Sequence, residues 1–390
     1  AYDFDRLIER KGTNSLKYDF AAERGKPEDV IPLWVADMDF QTPQEVTDAM
    51  IEACRHGIFG YTEVKLPYFQ TVQNWYRTHF QWEPQASWLV KTPGVVFAIC
   101  TAIRALTEPG DSILIQRPVY YPFTDSILGN GRTLVNNPLV YRDGRYTIDF
   151  EDFEAKIIEN RIKLFILCNP HNPVGRVWSE EELAGMGDIC LKHNITVVSD
   201  EIHADFVYPG RRHIVFAGIK PEYTDIAITC TAPSKTFNLA GLQVSNIFIG
   251  NRELRRTFRR EMYRTGYIDL NTLGLVACQA AYEKGRPWLE ELRLYLKGNL
   301  DFIRAFLEKE LPQITLVEPE GTYLIWLDFR ALGMTDEQLD QFMLHEAKLW
   351  LDHGSMFGPE GEGFQRINIA CPRETLERAF TQLKHAIERL

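Results

Sequence analysis

Between residues 94 and 250 short apolar runs alternate with amphipathic stretches, a texture that predicts parallel strands joined by helical crossovers. VVFAICTAIRAL follows Pro93-Gly94 and ends before Pro109-Gly110, which predicts a helix punctuated at both ends. Five apolar runs read as strands: SILIQ (112–116), KLFILCN (163–169), ITVVSD (195–200), DIAITCT (225–231) and VSNIFIG (244–250). Ser179 and Glu182 form a capping box, since the hydroxyl can accept from the third helical amide while the acid reaches back. The helix it opens is expected to run to about His193, making 163–200 one strand–helix–strand unit. Helical patterning dominates from about 252 to 311. After Pro312 the texture changes to ITLVEP and TYLIWLDF, an amphipathic helix at 336–348, RINIA (366–370) and a closing helix. A second, α+β domain is therefore expected to start near 285–295.

In a parallel α/β sheet, ligands bind beyond the carboxyl ends of the strands. Those ends hold the chain's most informative polar residues. KLFILC ends in Asn169-Pro170-His171-Asn172-Pro173, ITVVS in Asp200-Glu201-Ile202-His203, and IAITCT leads to Ser234-Lys235. The helix after Thr92-Pro93-Gly94 offers free backbone N–H groups and a positive dipole end, suited to a phosphate. Each feature has a plain reading. NPHNP can be a turn, Asp200 a cap or ion-pair partner, His203 a hydrogen-bonded core histidine, and Lys235 a side chain surfacing into water. The combination is more specific. Pyridoxal phosphate (PLP) asks for a lysine to form a Schiff base with its aldehyde, a carboxylate to keep the pyridine nitrogen protonated, and a helix N-terminus for the phosphate.

Composition narrows the alternatives. Lys plus Arg is 43 against 54 for Asp plus Glu, a net charge of −11, which argues against a general nucleic-acid surface. The basic cluster RELRRTFRR (252–260) reads as a solvated helix face, with Leu254 and Phe258 turned inward. The seven cysteines are odd in number and include no CxxC, as expected of a reduced, cytoplasmic chain. No run approaches the roughly 20 apolar residues of a membrane span, and AYDFDRLIERKG has no apolar signal region. No GxGxxG follows a candidate strand, which disfavours a dinucleotide enzyme. No HExxH-type helix supports a metal hydrolase on Asp200, Glu201, His203 and His213, so no metal is expected.

Nine segments resemble the fold-type-I, aspartate-aminotransferase-like family of PLP enzymes: WVADMDF (34–40), FGYT (59–62), PGVV (93–96), PVYYPF (118–123), CNPHNPVGRVW (168–178), SDEIH (199–203), APSKTFN (232–238), GTYLIWLDF (321–329) and RINIA (366–370). VADMDF and PHNPVGRVW are most similar to the cystathionine β-lyase/cystalysin-like C–S lyases. The resemblance implies an α/β fold: a large domain over 46–285 with a mainly parallel seven-stranded sheet and helices on both faces, and a smaller α+β domain from 1–45 and 286–390. It implies Lys235 as the Schiff-base lysine, Asp200 as the pyridinium partner and Asn172 as the amide on the ring oxygen. Tyr120 would stack on the ring, Ile202 on its other face, with His203 close by and Tyr121 beside the substrate. Val95, Val96 and Ser234 would cradle the phosphate, joined by Tyr61 of a second subunit, so a homodimer with active sites at the interface is implied. Arg366 would grip the substrate α-carboxylate, with Ala36 and Asn172 also at the substrate. Two departures stand out: His203 replaces a tyrosine common in transaminases of this fold, and Gln243, eight residues past Lys235, replaces an arginine. The implied activity is β-elimination of S-substituted cysteines to thiol, pyruvate and ammonia. An aminotransferase of the same fold is the alternative, and an additional protein partner stays open.

Overall fold

The computed structural model describes residues 2–390. Seven strands form the central sheet in the order Leu89–Thr92, Ser245–Ile249, Ala227–Thr231, Thr196–Asp200, Leu164–Cys168, Ser112–Ile115 and Thr133–Asn136. The last five run parallel, whereas Ser245–Ile249 is antiparallel to both neighbours. Side-chain alternation divides each strand between two apolar layers. In Leu164–Cys168, residues Leu164, Ile166 and Cys168 face a layer containing Ile99, Ile103, Phe123 and Phe258, while Phe165 and Leu167 face Phe153, Leu183 and Met186. Helices therefore cover both faces, which is why the inner strands read as continuous apolar runs.

Local chemistry accounts for most boundaries. Ser179 accepts from the Glu182 amide and Glu182 reaches back to Ser179, the expected capping box, and the helix runs Glu180–Lys192. The helix Val95–Leu106 occupies the expected span. In the helix Arg252–Arg264 the Asn251 side chain caps Leu254, and Phe258 and Met262 are buried beneath the basic face. Two expectations need correction. The run expected as a strand from 225 first completes a short helix, Pro221–Ile226, started by Pro221 in its first turn, and the strand begins only at Ala227. The helix expected over 336–348 stops at His345, because Leu349–Trp350 is needed as a strand.

A second sheet, wholly antiparallel, has the order Thr315–Leu316, Leu324–Asp328, Phe364–Asn368 and Asp352–His353. The helices Arg286–Glu310 and Arg373–Glu388 pack over it, with Phe302 and Phe306 both edge-on to Phe380. Ile31–Pro32 pairs in parallel with Leu349–Trp350, and the chain continues from Leu33 to Phe40 along the edge of Phe364–Asn368. Among the described residues no helix is long and apolar enough to cross a membrane.

Candidate active site

The sheet register brings the predicted residues together. Cys168 lies opposite Asp200, and Asp200 opposite Cys230, so the loops leaving these strands emerge side by side. A cavity of about 440 Å³ opens there, lined by Val95, Val96, Tyr120, Asn172, Asp200, Ile202, His203, Ser234 and Lys235, with Ala36 and Gln243. The helix Val95–Leu106 starts at this wall without a side-chain cap, so its first amides are free for an anion.

Lys235 is partly buried and donates from Nζ to the Ala36 carbonyl at 2.8 Å. Burial lowers its pKa to about 8; Asp37 and Asp200 pull it back up, and Arg366 adds to the lowering. Asp200, only 4% exposed, shows the opposite effect: burial raises its carboxyl to about 7, against a hydrogen bond from the Ile202 amide and the charge of Lys235. A buried acid and a buried amine with values this displaced mark a functional site more often than a structural one. His203 is buried with no partner at Nδ1, and burial pushes it down to about 3, so the ring is neutral.

Arg366, 1% exposed, is held in the second sheet between Trp326 and Asp352. Its guanidinium donates to Asp352 at 2.7 Å, to the Trp34 carbonyl at 2.7 Å and to Asn172 Oδ1 at 3.3 Å, and it rests over the Phe357 ring. Nε has no partner, leaving a donor for a ligand. Tyr121 does not line the cavity; it packs edge-on against Phe357, beside Arg366. Tyr120 lines the wall, anchored by its amide on the Asn172 carbonyl. Tyr61, 97% exposed, stands away from the cavity within one chain, in a segment where Ile58 and Phe59 are also exposed.

Three contributors escaped the sequence reading: Asp352, Tyr323 and the carbonyls of 34–40. Tyr323 donates to the same Ala36 oxygen as Lys235, at 3.2 Å. Asp352 lies outside every segment singled out above; 34–40 and Tyr323 lie within WVADMDF and GTYLIWLDF, but their contacts run to residues more than a dozen positions away, which no local pattern assigns. Glu201 and His213 are paired with each other at 2.7 Å inside the core, and Ser199 also donates to Glu201. They do not line the cavity, which removes the geometry a hydrolase on Asp200, Glu201, His203 and His213 would need.

These features define a cofactor-type pocket at the carboxyl edge of a doubly covered sheet. The family model "Aminotransferase class I and II" matches residues 28–383, and the chain belongs to that family. Within it, the chain is 46% identical over 385 residues to cystathionine beta-lyase PatB of Bacillus subtilis (strain 168), covering 99% of this chain and 100% of that protein. It is 34% identical to the protein MalY of Escherichia coli (strain K12), over 99% of both chains. Among solved structures, cystalysin from Treponema denticola, which contains a pyridoxal 5'-phosphate cofactor, superposes with a TM-score of 0.97 at 39% identity, covering 100% of this chain and 99% of that one. A PLP-bound putative aminotransferase from Clostridium difficile 630 also reaches 0.97, at 41% identity, covering 99% of this chain and 100% of that one.

Proposed function

We propose that this protein is a PLP-dependent carbon–sulfur lyase, eliminating thiol from cystathionine and other S-substituted cysteines to leave pyruvate and ammonia. The observation that carries it is the pairing of a lowered Lys235 with a raised Asp200 in one cavity. The residues present fit PLP. The Asp200 carboxyl is buried without a cationic hydrogen-bond partner, which a protonated ring nitrogen would supply, and the uncapped helix at Val95 suits its phosphate.

The cofactor, when bound, supplies an electron sink for the carbanion at the substrate Cα. Lys235, with its value near 8, holds enough neutral amine at neutral pH to take the Cα proton onto Nζ. Asp200 would hold a proton at the ring nitrogen. Asn172 would hydrogen-bond the ring oxygen, Tyr120 and Ile202 would hold the ring, and the neutral His203 would lie near it. The amides of Val95 and Val96 and the Ser234 hydroxyl would hold the phosphate. Arg366 takes the substrate α-carboxylate, with Ala36 and Tyr121 beside it. Large-domain residues 46–285 would thus bear the cofactor, while 1–45 and 286–390 bring the substrate grip. The pairing of Ile31–Pro32 with Leu349–Trp350 supports that grouping.

Release of pyruvate and thiol from cystathionine with no added 2-keto acid tests the reading. Turnover that depends on a 2-keto acid would establish the aminotransferase alternative instead. Arg366→Ala should lower kcat/KM on cysteine thioethers by about 2–4 kcal/mol, the worth of a buried charged contact, while cofactor affinity changes little. Because the variant strands the Asp352 carboxylate, Arg366→Met combined with Asp352→Leu should recover stability but not substrate binding. Unchanged kcat/KM would remove Arg366 from the site.

The exposed Tyr61 supports a homodimer in which it completes the neighbouring phosphate site; small amino acids would be the other partners, and the absence of a CxxC among the seven cysteines suits a cytoplasmic setting. Tyr61→Ala should weaken PLP retention. Mixing it with Lys235→Ala subunits should restore up to about a quarter of wild-type activity, since random reassortment leaves half the dimers with one intact site. No recovery on mixing would place Tyr61 outside the shared site.

A further inference from the structure

Residues 34–40 form a strap whose carbonyls are almost all taken by side chains from elsewhere in the chain. Arg366 donates to Trp34, Asn368 to Val35 and Asp37, Lys235 and Tyr323 to Ala36, and Asn238 to Met38 and Phe40. Asn238 also accepts from the Met38 amide at 3.0 Å, so it engages both backbone groups of Met38. It adopts a left-handed backbone (φ 58°), a conformation asparagine tolerates better than most residues, and sits three positions after Lys235.

The other side of the strap is held electrostatically. Arg10 clamps Asp37 with a bidentate fork, at 2.8 and 2.9 Å, and reaches Asp39 at 2.8 Å and the Met38 carbonyl at 3.3 Å. Lys17, fully buried, donates to Asp39 at 3.3 Å, and Tyr18 donates to the same carboxylate at 2.8 Å. A fully enclosed lysine with two carboxylates would be an expensive way merely to tie down a loop, because hydrophobic packing does that as well or better. What ionic and amide contacts add is a fixed register of one backbone atom against one side chain.

We propose that Arg10 and Asn238 are positioning residues: from opposite sides they hold the strap so that the Ala36 carbonyl meets the Lys235 amine. Neither lines the cavity. This rests on the reading of Lys235 as the reactive lysine. An amine that gives one N–H to a fixed acceptor has its lone pair aimed rather than rotating, and small misplacements of a reacting group are costly in rate. The charged groups around Nζ are Asp37, Asp200 and Arg366, with the neutral Tyr323 hydroxyl on the shared acceptor. Asp37 therefore couples the Arg10 fork to the lysine directly.

The test begins with cofactor-free protein. Trace acetylation with acetic anhydride, followed by peptide mapping, reads the reactivity of Lys235 against pH. Asn238→Ala should raise Lys235 labelling at pH 8 by about 5-fold or more, as the amine loses a fixed partner and gains rotational freedom, whereas Arg10→Met, which also leaves Asp37 freer to hold Lys235 protonated, should move the onset of labelling to higher pH. In the loaded protein both should lower kcat by about 10-fold with KM within a factor of two, and raise the Cα-deuterium isotope effect, because only proton transfer is slowed. Arg10→Lys keeps the charge but loses the fork; it should fall between wild type and Arg10→Met, and it replaces Arg10→Met if that variant does not fold. Lys235 labelling and isotope effects equal to wild type in both positions, with only the melting temperature lowered, would overturn the proposal. Wild-type pyruvate release and a borohydride-fixed label on Lys235 separate its failure from failure of the lyase reading: without them the lyase reading falls, whatever the labelling shows.

Discussion

Lys235→Ala is expected to bind PLP yet release pyruvate from cystathionine at least about 10³-fold more slowly than wild type, the upper range for loss of a positioned proton-transfer group. Val95, Val96, Ser234, Asn172 and Asp200, the residues proposed to hold the phosphate and ring, line the same cavity and are left in place by the substitution. The mutation also removes a partly buried amine whose charge is unfavourable where it sits, so the cofactor-free variant should be no less stable than wild type. Borohydride reduction of the wild-type protein should fix the pyridoxyl group on Lys235 alone. A label on another lysine, or comparable pyruvate release from the alanine variant, would sink the assignment.

Asp200→Asn should show opposite signs in activity and stability. Activity should fall by roughly 10²-fold or more, because an amide cannot hold the ring nitrogen protonated. Cofactor-free protein should become more stable at alkaline pH. The sign follows from proton linkage: folding raises the Asp200 pKa from 3.8 to about 7. Below pH 4 both folded and unfolded chains hold the proton and the carboxyl costs nothing. Between 4 and 7 the unfolded chain has lost the proton while the folded chain keeps it, so stability declines as pH rises, and above 7 the full penalty applies. Asparagine has no such penalty. Urea melts should therefore coincide for the two proteins near pH 4 and separate by up to a few kcal/mol at pH 8. Coincidence at both pH values would show that Asp200 is compensated by a partner in the folded chain.

The parts of the fold that sequence patterning exposed are those whose determinants are local. The helix Val95–Leu106, the capping box at Ser179 and the buried strands from Leu164 to Ile249 each carry their signal within a dozen residues. The edge strands Leu89–Thr92 and Thr133–Asn136 gave no apolar run because each is four residues long, has only two apolar side chains and is only partly buried. The start of Ala227–Thr231 was misplaced because apolar Ile226 serves equally well as the last turn of a helix. At the site, residues at strand ends were legible because strand order predicts where ligands sit. Asp352, Tyr323, Arg10 and Asn238 were not, since they act by reaching the backbone or an arginine from distant parts of the chain.

The strap also bears on how the protein matures during synthesis. The later side chains that grip its carbonyls lie 198 to 333 positions away in sequence, from Asn238–Phe40 to Asn368–Val35. A nascent chain can complete the seven-stranded sheet once residue 249 has emerged, but the grip on Trp34 and Val35 waits for Arg366 and Asn368. Contacts of such long range form late, since their loop-closure entropy must be met first. An emerging chain therefore passes through a stage in which the cofactor cavity is largely walled and Lys235 can already meet Ala36, while Arg366, the proposed carboxylate anchor, is still missing. Cofactor capture would then precede the capacity to grip substrate.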